Sequence, residues 1–148
     1  MDNTQEFRIG LRSIQEISYH CADDNVLSSG IDIDKLQYKY YTETVISPQE
    51  NSICVKAILH YFSSENDYAK LEVLLNFFAD RLNEIISYNK DTREISLNPD
   101  IIPTFLNITC GTVRGIFAEK TKGNNLSNYP VPLINPAALT SNNRIVIK

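Results

Sequence analysis

Three apolar segments separated by short polar turns constrain the fold of this chain more than any other feature. Residues 36–46, 52–62 and 68–79 are rich in β-branched and aromatic side chains, which is typical of strands. The turns between them cover only residues 47–51, where Pro48 suits a corner position, and residues 63–67. Because parallel pairing needs a long crossover, strands joined by such short turns pair antiparallel. The sequence therefore predicts an antiparallel meander.

The third of these segments has two possible interpretations. The apolar residues of the longer stretch 68–86 recur at helical spacing up to Ile85, but alternate positions from Leu71 to Phe77 also fit a strand. The preceding meander favours a strand over residues 68–79 with a short helix after it. Residues 87–100 are polar and are predicted to form a loop.

Residues 7–21 supply a fourth strand. Phe7, Ile9 and Leu11 share one face and Ile14 breaks the alternation, which is typical of a strand with a bulge near Ser13. The fold class predicted for the chain is α+β, with a four-stranded antiparallel sheet packed with a long helix. The length of 148 residues fits a single domain, residues 1–148.

The long helix is predicted over residues 101–121, with Asp100 as its N-cap and Gly123 just beyond its end. Two glycines inside it, Gly111 and Gly115, each cost about 1 kcal/mol relative to alanine. They lie four residues apart on one face. We expect close packing of another element there, first within the monomer and second at a subunit contact.

The last segment, residues 123–148, is stiffened by Pro130, Pro132 and Pro136, which favour an extended path along a groove. A short helix is predicted to begin at Pro136 with Asn135 as its cap. Residues 144–148 are apolar and form either an edge strand or a frayed end.

Composition narrows the class of protein. The net charge of −4 and the absence of basic clusters argue against binding of nucleic acid. Three widely spaced cysteines, Cys21, Cys54 and Cys110, are typical of reduced thiols in the cytoplasm. The first residues lack the pattern of a signal peptide, and no segment reaches the roughly 18 apolar residues of a membrane span. We therefore expect a cytoplasmic protein without membrane insertion.

Motifs for catalysis are absent from the sequence. It contains no P-loop, GxGxxG, GxSxG or HExxH pattern. The neighbours His20 and Cys21 could suggest a metal site, but such a site needs about four ligands and the chain has only two histidines. Asp32 and Asp34 could form a carboxylate pair on a strand, but no basic or nucleophilic partner is evident. We expect no enzyme, no cofactor and no metal.

Two stretches in the C-terminal half resemble SecB-like protein-export chaperones. Residues 108–123 are similar to that family's long helix, which carries an arginine, here Arg114, and ends near a glycine. Residues 130–136 are similar to the extended loop that precedes its second helix. Near the N-terminus, residues 16–19 (Glu-Ile-Ser-Tyr) look like the family's first strand, and residues 71–73 look like its fourth. The order of elements matches over residues 7–140.

The resemblance implies a chaperone that holds unfolded or pre-export polypeptides without ATP, assembled as a homodimer or a dimer of dimers. It implies client contacts at Leu126, Tyr129 and Leu133 in the loop and at Phe78 in the sheet. Glu16 and Glu72 occupy places of acidic residues that dock the export motor SecA.

The sequence also departs from the family. His20 stands at a second acidic position of the first strand, and the C-terminus lacks the long second helix and polar tail used for SecA. The alternative hypothesis is a dedicated adaptor that reuses the fold for one partner, for example as a toxin–antitoxin chaperone. A small enzyme built on Asp32 and Asp34 is the third hypothesis.

Overall fold

The computed structural model describes residues 8–82, 87–89, 91, 94–96 and 101–148. Its helices and strands follow in this order: β1 (Ile9–Cys21), α1 (Asp24–Ser28), β2 (Gln37–Ser47), β3 (Ser52–Phe62), β4 (Asp67–Ala79), β5 (Ser87–Asn89), β6 (Glu94–Ser96), α2 (Ile101–Lys120), α3 (Pro136–Ser141) and β7 (Asn143–Ile147).

The main sheet has five strands in the order β1-β4-β3-β2-β7. The first four pair antiparallel, and β7 pairs parallel to β2. The α+β class is confirmed, but the sheet is five-stranded and mixed rather than four-stranded and antiparallel. The chain between β2 and β7 contains four further strands and the long helix, which gives the long connection that parallel pairing needs. Of the two alternatives for residues 144–148, the edge strand is the one observed.

Strand β1 is irregular at two points. Its pairing with β4 shifts between Leu11 and Ser13 and again between Glu16 and Ser18, so that Arg12 and Ile17 are extra residues. The bulge predicted near Ser13 is confirmed. It brings Ile14, which lies opposite Leu75, onto the same face as Leu11, and so explains the broken alternation.

The core lies between the sheet and α2, which packs over β3 and β4. Tyr61 of β3 stacks on Phe117 with ring centroids 4.9 Å apart, and Phe77 of β4 contacts Phe105 at 4.5 Å. Burial raises the pKa of Tyr61 to about 12. The opposite face of the sheet, which we call the outer face, has no helix of the described chain packed on it.

The region between β4 and α2 differs from the expected loop. Ser87–Asn89 and Glu94–Ser96 pair antiparallel as a separate two-stranded sheet. The polar composition of this region hid these short strands, since strands of three residues carry too few positions for a pattern. The short helix predicted after residue 79 and the cap at Asp100 fall largely or wholly on residues outside the described ranges.

The C-terminal elements follow the sequence closely. Gly123 adopts a left-handed conformation with φ of 86°, beyond the end of α2. The Asn135 side chain accepts a hydrogen bond of 2.9 Å from the backbone N–H of Ala137 and so caps α3.

Helix α2 is long and apolar enough to cross a membrane by length and composition, with a mean hydropathy of 1.3. This corrects the expectation that no segment approaches that composition. Eight of its residues are buried against the core in this structure, which accounts for much of its apolar character.

Candidate functional site

The most exposed apolar row of the sheet lies on β1. Ile9, Leu11 and Ile14 face the same side of the sheet as α2, because their partners on β4 belong to the core. Helix α2 covers β3 and β4 and leaves this row open, with exposures of 43, 43 and 48%. Ile17, the extra residue of the second bulge, is 45% exposed. We call these four residues the β1 apolar row.

The same strand forms one edge of the sheet. In the described part of the chain, β1 pairs with β4 on one side and with no strand on the other. Edge strands are usually short, charged or covered, since their free N–H and C=O groups can pair with another chain. Strand β1 has 13 residues and carries the apolar row. Its two bulges limit the length over which a regular partner could pair.

An ion pair joins the middle of β1 to the end of helix α2. The Lys120 ammonium at the end of α2 lies 2.8 Å from the Glu16 carboxylate and 5.4 Å from the centre of the Tyr19 ring. Burial raises the pKa of Tyr19 well above its usual range. Glu16 therefore faces the helix side of the sheet.

Glu72 lies on the outer face instead. Its carboxylate is 2.9 Å from the Lys56 ammonium and accepts a hydrogen bond of 3.4 Å from the Ser18 hydroxyl. The hydrogen bond from Lys56 holds the pKa of Glu72 below its usual value. The structure does not bring together the two carboxylates predicted to dock SecA, because they are on opposite faces of the sheet.

Phe78 also lies on the outer face. Its ring covers Gly10 so closely that a β-carbon there would overlap it, and the Arg12 guanidinium lies 5.6 Å from the ring centre. An aromatic ring that covers a strand glycine in this way is a known means of protecting an edge. Phe78 is half-buried by these contacts. It lies on the opposite face of the sheet from the loop of Leu126, Tyr129 and Leu133, with which it was predicted to contact clients.

The three loop residues predicted to contact clients have three different environments. Leu126 is completely buried in the core, so in this conformation it stabilises the fold and presents no surface. Tyr129 is half-buried, and its hydroxyl donates a hydrogen bond of 3.3 Å to the Ile31 carbonyl. Leu133 is 88% exposed and is the accessible member of the set.

A groove of about 410 Å³ runs between α2 and the loop of residues 126–134. The loop contributes Ser127, Pro130 and Val131, and the helix contributes a wall that includes Gly115 and Arg114. The loop therefore forms one wall of this groove.

The two helix glycines were expected to pack against another element of the monomer, and this is wrong. Gly111 and Gly115 are exposed, and an added β-carbon at either would meet no atom within 4 Å. The second alternative, a contact between subunits, stays a prediction.

The carboxylate pair gives no support to an enzyme. Asp32 and Asp34 are exposed in a turn rather than on a strand, and the Asp32 carboxylate accepts a hydrogen bond of 3.0 Å from the backbone N–H of Asp34. Among the described residues, no three His, Cys, Asp or Glu side chains are grouped to hold a metal ion.

Sequence reasoning missed the β1 apolar row as a site. The alternation of Phe7, Ile9 and Leu11 was visible, but it also fits a strand whose apolar face is covered, and Ile14 broke the pattern. Which strands α2 covers depends on the placement of the helix, and no local pattern encodes that.

Comparisons with known proteins add no relative. No model of a protein family matches the chain, and the searches of curated proteins and of solved structures find no significant match. The similarity to SecB-like proteins therefore depends on the sequence stretches named above.

Proposed function

We propose that this protein binds unfolded or pre-export polypeptides in the cytoplasm without ATP, as a SecB-like chaperone. The observation that supports this most strongly is the β1 apolar row on an open edge of the sheet. Backbone pairing at an edge is independent of the partner's sequence, and side-chain burial favours apolar segments. Both properties suit a protein that binds many unfolded chains.

The expected strength of this contact fits transient holding. Complete burial of a Leu or Ile side chain contributes about 1.5–3 kcal/mol, and these side chains are a little under half exposed. The four residues together would contribute about 4 kcal/mol, from which the ordering of the bound segment must be subtracted. Tight binding therefore requires further contacts along the same client.

Leu133 and the groove between α2 and the loop offer such contacts. Leu133 projects into solvent, and the groove is lined by apolar atoms of Phe117 and Val131 together with Ala118. A client bound at the β1 apolar row is held close to Leu133 and the groove, so a second segment of the same client binds there at a high effective concentration. The overall affinity then comes from several weak contacts rather than from one strong site.

We further propose assembly as a homodimer or homotetramer, for which the exposed face of α2 around Gly111 and Gly115 is the candidate contact. The two carboxylates predicted for SecA, Glu16 and Glu72, form no single acidic surface, so hand-off to SecA has less support than the holding of clients. Light scattering coupled to gel filtration would measure the assembly directly.

Suppression of aggregation tests the holding function. A chemically unfolded test protein is diluted into buffer with the purified chain and without nucleotide, and light scattering is followed. We expect suppression at near-stoichiometric amounts, and a loss of most of it in the variant Leu11→Ser/Ile14→Ser. Both side chains are exposed, so circular dichroism should show an unchanged fold.

The matched control is Ile33→Ser, because Ile33 is 66% exposed but lies in the loop before β2. Equal loss in the control and in the β1 variant would contradict a specific role for the β1 apolar row. No suppression by the parent protein would favour the alternative, a dedicated adaptor with one partner, which a pull-down under native conditions would then identify.

A further inference from the structure

A row of four basic residues crosses the outer face of the sheet. The register places Lys39 of β2 opposite His60 of β3, His60 opposite Lys70 of β4, and Lys70 opposite His20 of β1. Directly opposite residues share a face of the sheet, so the four side chains form one line. We call it the basic row. No run of basic residues in the sequence shows it, because its members are far apart in the chain.

Among the described residues, the lysines of the basic row form no ion pair within 4 Å, unlike other cations of this face, although Lys70 lies near enough to Glu72 to lower the pKa of its carboxyl. Lys56 is paired with Glu72 at 2.9 Å, and Arg144 lies 3.9 Å from Glu43. Among the described residues, no carboxylate lies within 4 Å of the ammonium groups of Lys39 or Lys70, whose side chains are exposed. The Lys39 ammonium instead lies 5.6 Å from the centre of the Phe62 ring. Charges that are exposed and unpaired can be neutralised by a partner at little desolvation cost.

One member of the row already binds a carboxylate. The His60 Nε2 atom lies 2.9 Å from a carboxylate oxygen of Asp67, and the His60 ring stacks on Phe62 with centroids 4.8 Å apart. This contact from the first residue of β4 shows that a carboxylate fits against the row. Beside it, Tyr41 is 43% exposed and lies opposite Ile58, which adds an apolar strip along the row.

We propose that the basic row is a docking site for an acidic, extended polypeptide segment of a partner protein. Neighbouring strands are about 4.8 Å apart, so four strands give a row about 14 Å long. Alternate residues of an extended chain are about 6.8 Å apart, so three acidic residues at alternate positions span it. The apolar strip favours an aromatic or aliphatic residue next to them.

The charges on this face favour a short acidic peptide over a polyanion. The face carries Glu43, Glu72 and Asp67, and the whole chain has a net charge of −4, which repels a long nucleic acid. Attraction to an anionic membrane takes a cluster of about 4–8 lysines or arginines, and the row contains two lysines, Lys39 and Lys70, and no arginine. This site is separate from Ile9, Leu11 and Ile14 of the β1 apolar row, which face the helix side, and the proposal does not depend on chaperone activity.

Fluorescence anisotropy with defined peptides tests the proposal. The probe is a short dye-labelled peptide in which glutamate alternates with serine and which ends in one phenylalanine; its counterpart has glutamine in place of glutamate. We expect the acidic peptide to bind more tightly than the glutamine peptide, and to weaken several-fold when salt rises from about 50 to about 200 mM. The variant Lys39→Gln/Lys70→Gln should bind it about tenfold more weakly, at about 0.5–1 kcal/mol per exposed ion pair.

The matched control is Lys35→Gln/Lys122→Gln, which has the same net charge but changes exposed lysines outside the sheet. It should bind the acidic peptide like the parent, and circular dichroism should show both variants folded. Equal weakening in the two variants would overturn the proposal, as would equal binding of the glutamine peptide. Tighter binding of a single-stranded oligonucleotide than of the peptide would replace it with a nucleic-acid site.

Discussion

At the scale of single residues, the pairing of Lys56 with Glu72 determines how the centre of the outer face responds to acid. The hydrogen bond from Lys56 holds the pKa of Glu72 below its usual value, so the folded state binds this proton less tightly than the unfolded state does. The stabilisation is therefore fully present above the unfolded pKa, about 4.3 for glutamate, and is lost as the pH falls through the folded pKa.

We predict that Glu72→Gln lowers the free energy of unfolding by about 0.5 kcal/mol at neutral pH, the value of a partly exposed ion pair. The difference from the parent should disappear in acid below the folded pKa. Denaturant unfolding over a pH series measures it, and Glu65→Gln, at an exposed turn position without a described ion pair, is the control. A constant difference at all pH values would show that the effect is not electrostatic.

Asn143 at the start of β7 stabilises the pairing of β7 with β2, a role that the sequence did not indicate. Its side-chain oxygen accepts hydrogen bonds of 2.8 Å from the hydroxyls of both Thr42 and Thr44, which are buried in β2. We predict that Asn143→Ala lowers the free energy of unfolding by about 2 kcal/mol, because two buried hydroxyls lose their acceptor. Thermal or denaturant unfolding measures the loss.

The matched rescue is the triple variant with Thr42→Val and Thr44→Val added. Replacing both donors by apolar groups of similar shape should restore most of the stability, since no unsatisfied hydroxyl is left. A full loss that persists in the triple variant would contradict this explanation.

At the scale of elements, the face of α2 that carries Gly111 and Gly115 differs from the prediction made from the sequence. The pair Gly111 and Gly115 was correctly placed on one face of a helix, but the face is exposed rather than packed. Spacing within a helix fixes which residues are neighbours, whereas the side of the helix that meets the sheet is set by the larger apolar residues Phe105, Val113 and Phe117.

We predict that Gly111→Ala and Gly115→Ala each stabilise the monomer by up to about 1 kcal/mol, because alanine is the better helix former and its methyl group meets no atom. At a concentration too low for assembly, the melting temperature of the monomer should rise by about 2–4 °C per substitution. The control is Gly10→Ala, which should lower it because the Phe78 ring occupies the space.

At a concentration where the protein assembles, the proposed contact at this face predicts the opposite, a lower melting temperature for both helix variants, because the added methyl groups would obstruct the packing of another chain. In that case the same variants should also shift the protein to a smaller assembly in gel filtration.

The elements themselves were largely predictable and their arrangement was not. Strands β2, β3 and β4, helix α2, the bulge in β1 and the cap at Asn135 follow from local patterns and turn chemistry. The parallel pairing of β7 with β2 does not, because five residues of apolar sequence specify neither a partner nor a direction. The same limit hid the β1 apolar row and the basic row, which are created by register across strands.

At the scale of the whole molecule, the sheet separates two surfaces of different chemistry. The helix side carries Ile9, Leu11 and Ile14 of the β1 apolar row and the groove beside α2. The outer face carries the basic row and the paired charges around Glu72. Together the two proposals assign an apolar segment to one side of the sheet and an acidic segment of a second protein to the other.

Amide hydrogen exchange with and without a permanently unfolded client is the measurement that tests the proposed function most directly. We expect residues 9–21 to exchange more slowly when the client is bound, because edge N–H groups of β1 gain partners and the β1 apolar row is covered. The segment from Tyr129 to Leu133 should show weaker protection. If the client binds and exchange in β1 is unchanged, the β1 apolar row is not the client site; if no client binds at all, the chaperone proposal itself is contradicted.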